Sequence, residues 1–223
     1  MKTSSLTLPL SLIRLLPSRI AVSGIASVFP LLPLSAATVF DILLEGSQEV
    51  PPVSSPATGS GTASLVDLGS AGLRLEYSIT FSADLDFSGV ANIPSNGGNI
   101  QVMNFHIHNQ VRGLNGGVIY GIFGPDQDFD NDVVTVLNAN NTTTITGSWG
   151  PADGNPVGNI NTFAPLLLAA APGEDTPFYF NIHTPAFPAG EIRGQIVAVP
   201  EPATIGFLGL CASSLLLRRR RVA

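Results

Sequence analysis

The sequence is poor in cysteine and, over most of its length, in basic residues. Its one cysteine, Cys211, lies in an apolar stretch near the C-terminus, so residues 38–199 contain no thiol for a disulfide, a metal ligand or a nucleophile. The same segment has three arginines against fifteen acidic residues, a formal charge of −12. Nucleic-acid binding needs clustered basic residues. The sequence therefore predicts no nucleic-acid partner.

Familiar catalytic motifs are also missing from the sequence. It has no Gly-rich phosphate-binding loop and no Gly-x-Ser-x-Gly nucleophile motif. With cysteine chemistry excluded as well, no catalytic set is evident, and we predict a non-enzymatic protein.

The first 37 residues are typical of a secretory signal. Lys2 precedes apolar segments without an acidic residue, and Ser35 and Ala37 fit the small positions before a signal-peptidase site. We predict a signal peptide over residues 1–37 that signal peptidase removes near Ala37. A retained anchor helix is the alternative, but three prolines would interrupt it, namely Pro17, Pro30 and Pro33.

The last 24 residues contain three parts in a fixed order. Pro200, Glu201 and Pro202 come first, an apolar run over 203–217 follows, and four arginines come last: Arg218, Arg219, Arg220 and Arg221. As a helix the run would extend about 22 Å, less than the roughly 30 Å hydrocarbon core of a bilayer. A transient membrane helix is therefore predicted, with a permanent tail anchor as the alternative.

This order of parts resembles the PEP-CTERM sorting signal. The resemblance implies a Gram-negative host and an inner-membrane exosortase that processes the tail near Pro200, Glu201 and Pro202. It also implies export to the cell envelope, the outer surface or the extracellular matrix, with the inner membrane crossed in transit.

Residues 38–199 show the period-2 alternation of β-strands rather than the periodicity of helices. Gly- and Pro-rich turns separate about eight short runs, and runs 61–67 and 73–81 fit a hairpin. One short helix fits within 163–171. We predict an all-β fold, an antiparallel β-sandwich or barrel of immunoglobulin-like or Greek-key type. The signal segment and the C-terminal apolar helix would flank it.

Four motifs in this segment, taken together, resemble the CHRD domain first described in chordin. They are residues 44–53, 105–108, 180–184 and 190–196. The resemblance covers nearly all of 38–199. It implies a β-sandwich domain in exported proteins and no firmly established activity.

The three histidines of the chain, His106, His108 and His183, all lie in these motifs. His106 and His108 share one face of a strand, and His183 would join them if the two strands are neighbours. Such a set can bind Zn²⁺ or Cu²⁺, form a structural hydrogen-bond cluster, or serve a ligand without a metal. Asn181, Glu191 and Arg193 are the predicted polar neighbours of that cluster.

An acidic run, Asp126, Asp128, Asp130 and Asp132, offers the oxygen ligands that Ca²⁺ prefers. The EF-hand pattern fails, because Asn131 replaces the required Gly and Leu137 replaces the final Glu. A solvated acidic loop is the alternative to a calcium site.

Three functions remain open from the sequence. The first is a surface or extracellular-matrix module that binds a protein or polysaccharide or contributes structure. The second is a histidine-ligated Zn or Cu protein, with redox activity as one variant. The third is a Ca²⁺-stabilised adhesin.

Overall fold

The computed structural model describes residues 37–124, 127–153 and 158–199. These residues form eleven strands and one α-helix. The strands are β1 (Thr38–Glu45), β2 (Thr58–Asp67), β3 (Leu73–Phe81), β4 (Leu85–Asp86), β5 (Ile100–Gln101), β6 (Asn104–Asn109), β7 (Gly117–Phe123), β8 (Val134–Leu137), β9 (Thr143–Trp149), β10 (Asp175–His183) and β11 (Ile192–Ala198); the helix is α1 (Ile160–Leu168).

Nine of the strands form one antiparallel sheet in the order β7-β6-β10-β11-β1-β2-β3-β9-β8. The sheet curls into a half-barrel. Strands β4 and β5 form a separate parallel pair. The predicted all-β, antiparallel fold is confirmed.

The predicted hairpin is present as β2 and β3, which pair from Gly59–Phe81 to Asp67–Leu73. Gly61 lies where the two strands approach closely, because a Cβ there would stand 2.0 Å from the carbonyl oxygen of Ser78. Only glycine fits at such a distance.

The inner face of the curled sheet carries the apolar core. In β1 the alternation places Phe40, Ile42 and Leu44 inside. Aromatic side chains from separate strands then pack edge to face: the ring centroids of Phe81 and Phe105 lie 5.4 Å apart, an arrangement that adds to the free energy of burial.

Helix α1 packs against this core, in the region where a short helix was predicted. The side chain of Asn159 caps its N-terminus by accepting a hydrogen bond from the amide of Asn161 at 3.0 Å. Phe163, on its buried face, contacts Trp149 and Phe178 at centroid distances of 5.4 and 5.8 Å.

Strands β6, β10 and β11 are buried on both faces. One face adds apolar side chains such as Ile107 and Ile182 to the core. The opposite face is polar, and buried polar groups require hydrogen-bond partners. This second, polar layer holds the predicted histidines.

Two predicted segments lie outside the described residues. They are the signal peptide up to residue 36, and the tail 200–223 with its apolar run and four arginines. Within the described ranges, no helix combines the length and apolar character needed to cross a membrane.

Replacing Phe105 by alanine is expected to lower the free energy of unfolding by about 3–5 kcal/mol, because a fully buried aromatic leaves a cavity. Urea unfolding of the purified protein measures the change. Phe129→Ala is the control: its side chain is 63% exposed, and we expect a change within about 0.5 kcal/mol. Equal effects of the two substitutions would contradict the assigned core.

Candidate metal centre

Two neighbouring strands bring the three histidines together. His106 and His108 lie on β6, His183 lies on β10, and the strands pair with His106 opposite Asn181. The ring centroids lie 5.1 to 5.6 Å apart. One nitrogen from each ring lies within 4.8 Å of the corresponding nitrogens of the other two. The rings therefore converge on one point of the polar layer.

Each imidazole is held from outside by a backbone carbonyl. His106 Nε2 lies 3.0 Å from the oxygen of Gly124, His108 Nδ1 lies 3.0 Å from that of Gly116, and His183 Nδ1 lies 3.1 Å from that of Pro188. A carbonyl oxygen only accepts hydrogen bonds. These three nitrogens are therefore the protonated donors, which fixes the tautomer of each neutral ring.

The inward nitrogens of the neutral rings accordingly carry lone pairs. His108 Nε2 and His183 Nε2 lie 3.4 Å apart, and His106 Nδ1 is buried with no hydrogen-bond partner among the described residues. Two nitrogens at about 2.05 Å from one tetrahedral ion would stand about 3.3 Å apart. The 3.4 Å spacing of His108 Nε2 and His183 Nε2 thus suits two ligands of one metal ion.

Burial keeps the three rings neutral. Desolvation lowers the pKa of His108 to about 4, with smaller contributions from the neighbouring histidines and the Arg193 guanidinium. Desolvation also lowers the pKa of His106 and of His183. Neutral imidazole is the form that binds metals, so the rings need not lose a proton at neutral pH.

Tyr179 and Arg193 support the ring of His108 from the side. The Tyr179 ring stacks on His108 at 4.9 Å and 12°, and the Arg193 guanidinium carbon lies 3.5 Å from the Tyr179 centroid. Since β6 and β11 flank β10 on opposite sides, Tyr179 lies between the imidazole and the cation.

Arg193 also connects the sheet to the loop that follows β6. It is 1% exposed and donates to the carbonyl oxygens of Leu114 and Val111 at 2.8 and 3.0 Å. Asn181, another predicted polar neighbour, is paired with Arg193 across β10 and β11. The third, Glu191, accepts a hydrogen bond from the hydroxyl of Thr184 at 2.8 Å.

Sequence reasoning missed Glu49 as a member of this layer. Glu49 is 5% exposed and hydrogen-bonds to Asn181. Burial raises the pKa of Glu49 to about 7, against the opposing effect of the Arg193 guanidinium. Tyr179 lies where strand alternation places it, two residues before Asn181 on the histidine face of β10.

The acidic loop is arranged differently from the predicted calcium site. Asp126 lies outside the described residues. Asp128 and Asp130 come together with Asp153, which the sequence analysis did not include, with one oxygen from each within 4.8 Å. Asp132 instead accepts hydrogen bonds from the amide and hydroxyl of Ser148.

Loop amides already use the buried carboxylates of this acidic group. Asp128 accepts from the amides of Asp132 and Val133, and Asp153 accepts from those of Gly150 and Phe129. Burial, aided by hydrogen bonding to Asp128, raises the pKa of Asp130 to about 6. Asp128 and Asp153 are buried rather than solvated, and loop amides give them partners without an ion. A calcium site here stays a prediction.

The half-barrel with its buried, histidine-bearing polar layer defines an all-β domain with a candidate site on one face of its sheet. The chain belongs to the CHRD domain family, whose profile matches residues 40–196. The PEP-CTERM protein-sorting motif matches residues 198–221. Neither the curated proteins nor the solved structures include a match to this chain. Both predicted resemblances are confirmed, and the sorting motif implies an exported protein that is handled at the membrane and processed by an exosortase.

Lowering the pH from 6.5 to 4 is expected to destabilise the metal-free protein through His108. Between pH 6.5 and pH 4, His108 binds a proton in the unfolded chain but stays neutral in the folded protein. The free energy of unfolding is therefore highest above pH 6.5 and decreases as the pH falls towards 4. A pKa change from 6.5 to about 4 corresponds to about 3 kcal/mol. Urea unfolding in EDTA at several pH values measures it.

His108→Gln is the comparison for this experiment. Glu49 has a raised pKa and titrates in an overlapping pH range, so its protonation stabilises the folded protein as the pH falls and opposes the effect of His108. The difference in stability between wild type and variant isolates the histidine, and it should shrink as the pH falls. Parallel pH profiles for the two proteins would contradict a depressed pKa for His108.

Proposed function

We propose that this protein is an exported module that holds one Zn²⁺ or Cu²⁺ ion in its CHRD domain, bound by His106, His108 and His183. The observation that carries the proposal is the orientation of the rings. Each ring gives its outer N–H to a backbone carbonyl and turns its other nitrogen inward. Metal-binding histidines commonly have this second contact, which fixes the tautomer and the ring orientation.

A purely structural hydrogen-bond cluster accounts less well for the inward nitrogens. Such a cluster would give each lone pair a donor. Among the described residues His106 Nδ1 has none, and the two Nε2 atoms of His108 and His183 face each other without a proton between them in the neutral tautomers. A buried acceptor without a partner costs about 1–3 kcal/mol, and one cation would satisfy all three.

The chemistry of the ligands narrows the choice of metal. Imidazole nitrogen suits zinc and copper, whereas calcium and magnesium prefer oxygen. The three imidazole nitrogens could bind either ion. If the bound ion is Cu²⁺, the site could also be redox-active.

The route to the cell surface follows from the two ends of the chain. In this proposal residues 1–37 are a signal peptide that signal peptidase removes, and residues 38–199 are the delivered domain. Residues 200–223 are a sorting tail whose apolar run, 203–217, stays in the membrane until an exosortase acts near Pro200, Glu201 and Pro202. The domain then serves in the envelope or extracellular matrix, next to a protein or polysaccharide partner.

The exported protein purified from its host is expected to contain about one equivalent of zinc or copper per chain. Removing the metal with EDTA should lower Tm by several degrees, because a ligand at 100 times its Kd contributes about 2.7 kcal/mol. Elemental analysis and thermal unfolding measure the two quantities. His106→Ala and His183→Ala should each lose most of the metal.

The control for metal binding is Asp130→Asn, which alters the acidic group and leaves every histidine in place. Its metal content should equal that of the wild type. A metal-free protein whose Tm does not respond to added Zn²⁺ or Cu²⁺ would overturn the proposal in favour of a structural cluster.

Replacing Pro200, Glu201 and Pro202 together by alanine is expected to leave most of the protein unprocessed and in the membrane fraction. The tail would keep its apolar run, and the exosortase would lose the segment that it recognises. Cell fractionation and the mass of the mature chain measure the outcome. Pro172→Ala with Glu174→Ala, the same residue types outside the tail, should be processed normally; equal processing of both variants would contradict the assigned segment.

A further inference from the structure

Asn181 occupies the middle of the histidine group. It lies directly opposite His106 on the neighbouring strand. It precedes His183 by two residues, so both side chains are on the same face of β10. His108 is opposite Tyr179, the next residue of that face, and is therefore the diagonal neighbour of Asn181.

The amide of Asn181 lies beside Glu49. Burial raises the pKa of Glu49, and hydrogen bonding from Asn181 opposes this larger effect. The amide oxygen of Asn181 is buried and has no hydrogen-bond partner among the described residues.

The histidines leave one position of a tetrahedral ion unfilled. Among the His, Cys, Asp and Glu side chains of the described residues, this group contains three, His106, His108 and His183. Sites with three protein ligands keep the remaining position for water or an exogenous ligand. Asn181 is the polar side chain that the strand register places among the three histidines.

We propose that the fourth ligand is a small oxygen ligand that carries a proton, water or hydroxide, and that it donates a hydrogen bond to Asn181 Oδ1. This inference depends on the metal site proposed above. A buried acceptor favours a ligand that can donate a hydrogen bond and disfavours an anion that has only lone pairs. Asn181 is thus a specificity-determining residue of the site.

Glu49 is the acidic neighbour of this amide in the polar layer and would help to hold it in place. Gly190 leaves room for this arrangement, since a Cβ there would stand 2.5 Å from Glu49 Oε1.

Azide binding to the Co²⁺-loaded, full exported protein tests the inference, because azide bound through nitrogen has no proton for Asn181. The visible spectrum of Co²⁺ reports occupancy and ligand exchange. Asn181→Leu should still bind Co²⁺, since all three histidines remain, and should bind azide about tenfold more tightly than the wild type. Equal azide affinity in the two proteins would overturn the role of Asn181.

The matched control is Gln195→Leu, an amide in the same polar layer that donates to the carbonyl oxygens of Gln110 and Thr176 instead. It should leave azide affinity unchanged. An increase equal to that of Asn181→Leu would overturn the inference, because it would make the effect a general one of removing a polar side chain.

A measurement on the wild type avoids dependence on the folding of the variants. Electron–nuclear double resonance of the Cu²⁺-loaded protein in ¹⁷O-enriched water should show a coupled oxygen. A copper signal without ¹⁷O coupling would overturn the inference and leave the metal site intact. Failure of the wild type to bind Co²⁺ or Cu²⁺ at all would instead overturn the proposed function.

Discussion

The burial of β6, β10 and β11 on both faces is the constraint on which the site depends. Their apolar face packs against the hydrophobic core, as in other sheets. Their other face buries histidine, asparagine, arginine and glutamine side chains. Buried polar groups must find partners. Here the covering loops supply them through backbone carbonyls: those of Gly116, Gly124 and Pro188 for the histidines, and those of Val111 and Leu114 for Arg193. The polar side chains of the sheet therefore hold the loops in place, and the loop carbonyls satisfy those side chains.

The two groups of candidate metal ligands differ in how completely the protein satisfies them. In the acidic loop the buried carboxylates of Asp128 and Asp153 accept backbone amides, and those hydrogen bonds define the loop. In the histidine group the protein satisfies only the outer nitrogens, and the inward ones have lone pairs facing one another. A group that already has partners has less to gain from an ion. The histidines are thus the stronger candidates, although proximity alone does not distinguish the two groups.

Much of the fold was accessible from the sequence, because alternation and turn residues are local signals. The β2–β3 hairpin and the short helix near Phe163 were predicted from such patterns. Strand β8 was missed: it has four residues and lies at the sheet edge, where the apolar Val134 and Val136 are exposed and so do not mark a buried face. The grouping of Asp153 with Asp128 joins residues far apart in the chain, and no local spacing indicates it.

For the histidines, alternation along a strand predicts which side chains share a face, but it does not predict which strands are neighbours. The pairing of β6 with β10 joins residues about 75 positions apart, and it depends on the strand order of the whole sheet. Glu49 was equally hidden, because it enters the polar layer from the loop after β1 rather than from a strand. Its role depends on the packing of that loop against β10 and β11.

A metal ion in the proposed site would act on the loops as well as on the sheet. Binding to the inward nitrogen of an imidazole makes the opposite N–H more acidic and a stronger hydrogen-bond donor. In this chain those three N–H groups hold the carbonyl oxygens of Gly116, Gly124 and Pro188, which lie in three separate segments. One ion would therefore strengthen three loop contacts at once. For a domain without cysteine between residues 38 and 199, such an ion would link distant segments much as a disulfide does in other exported proteins.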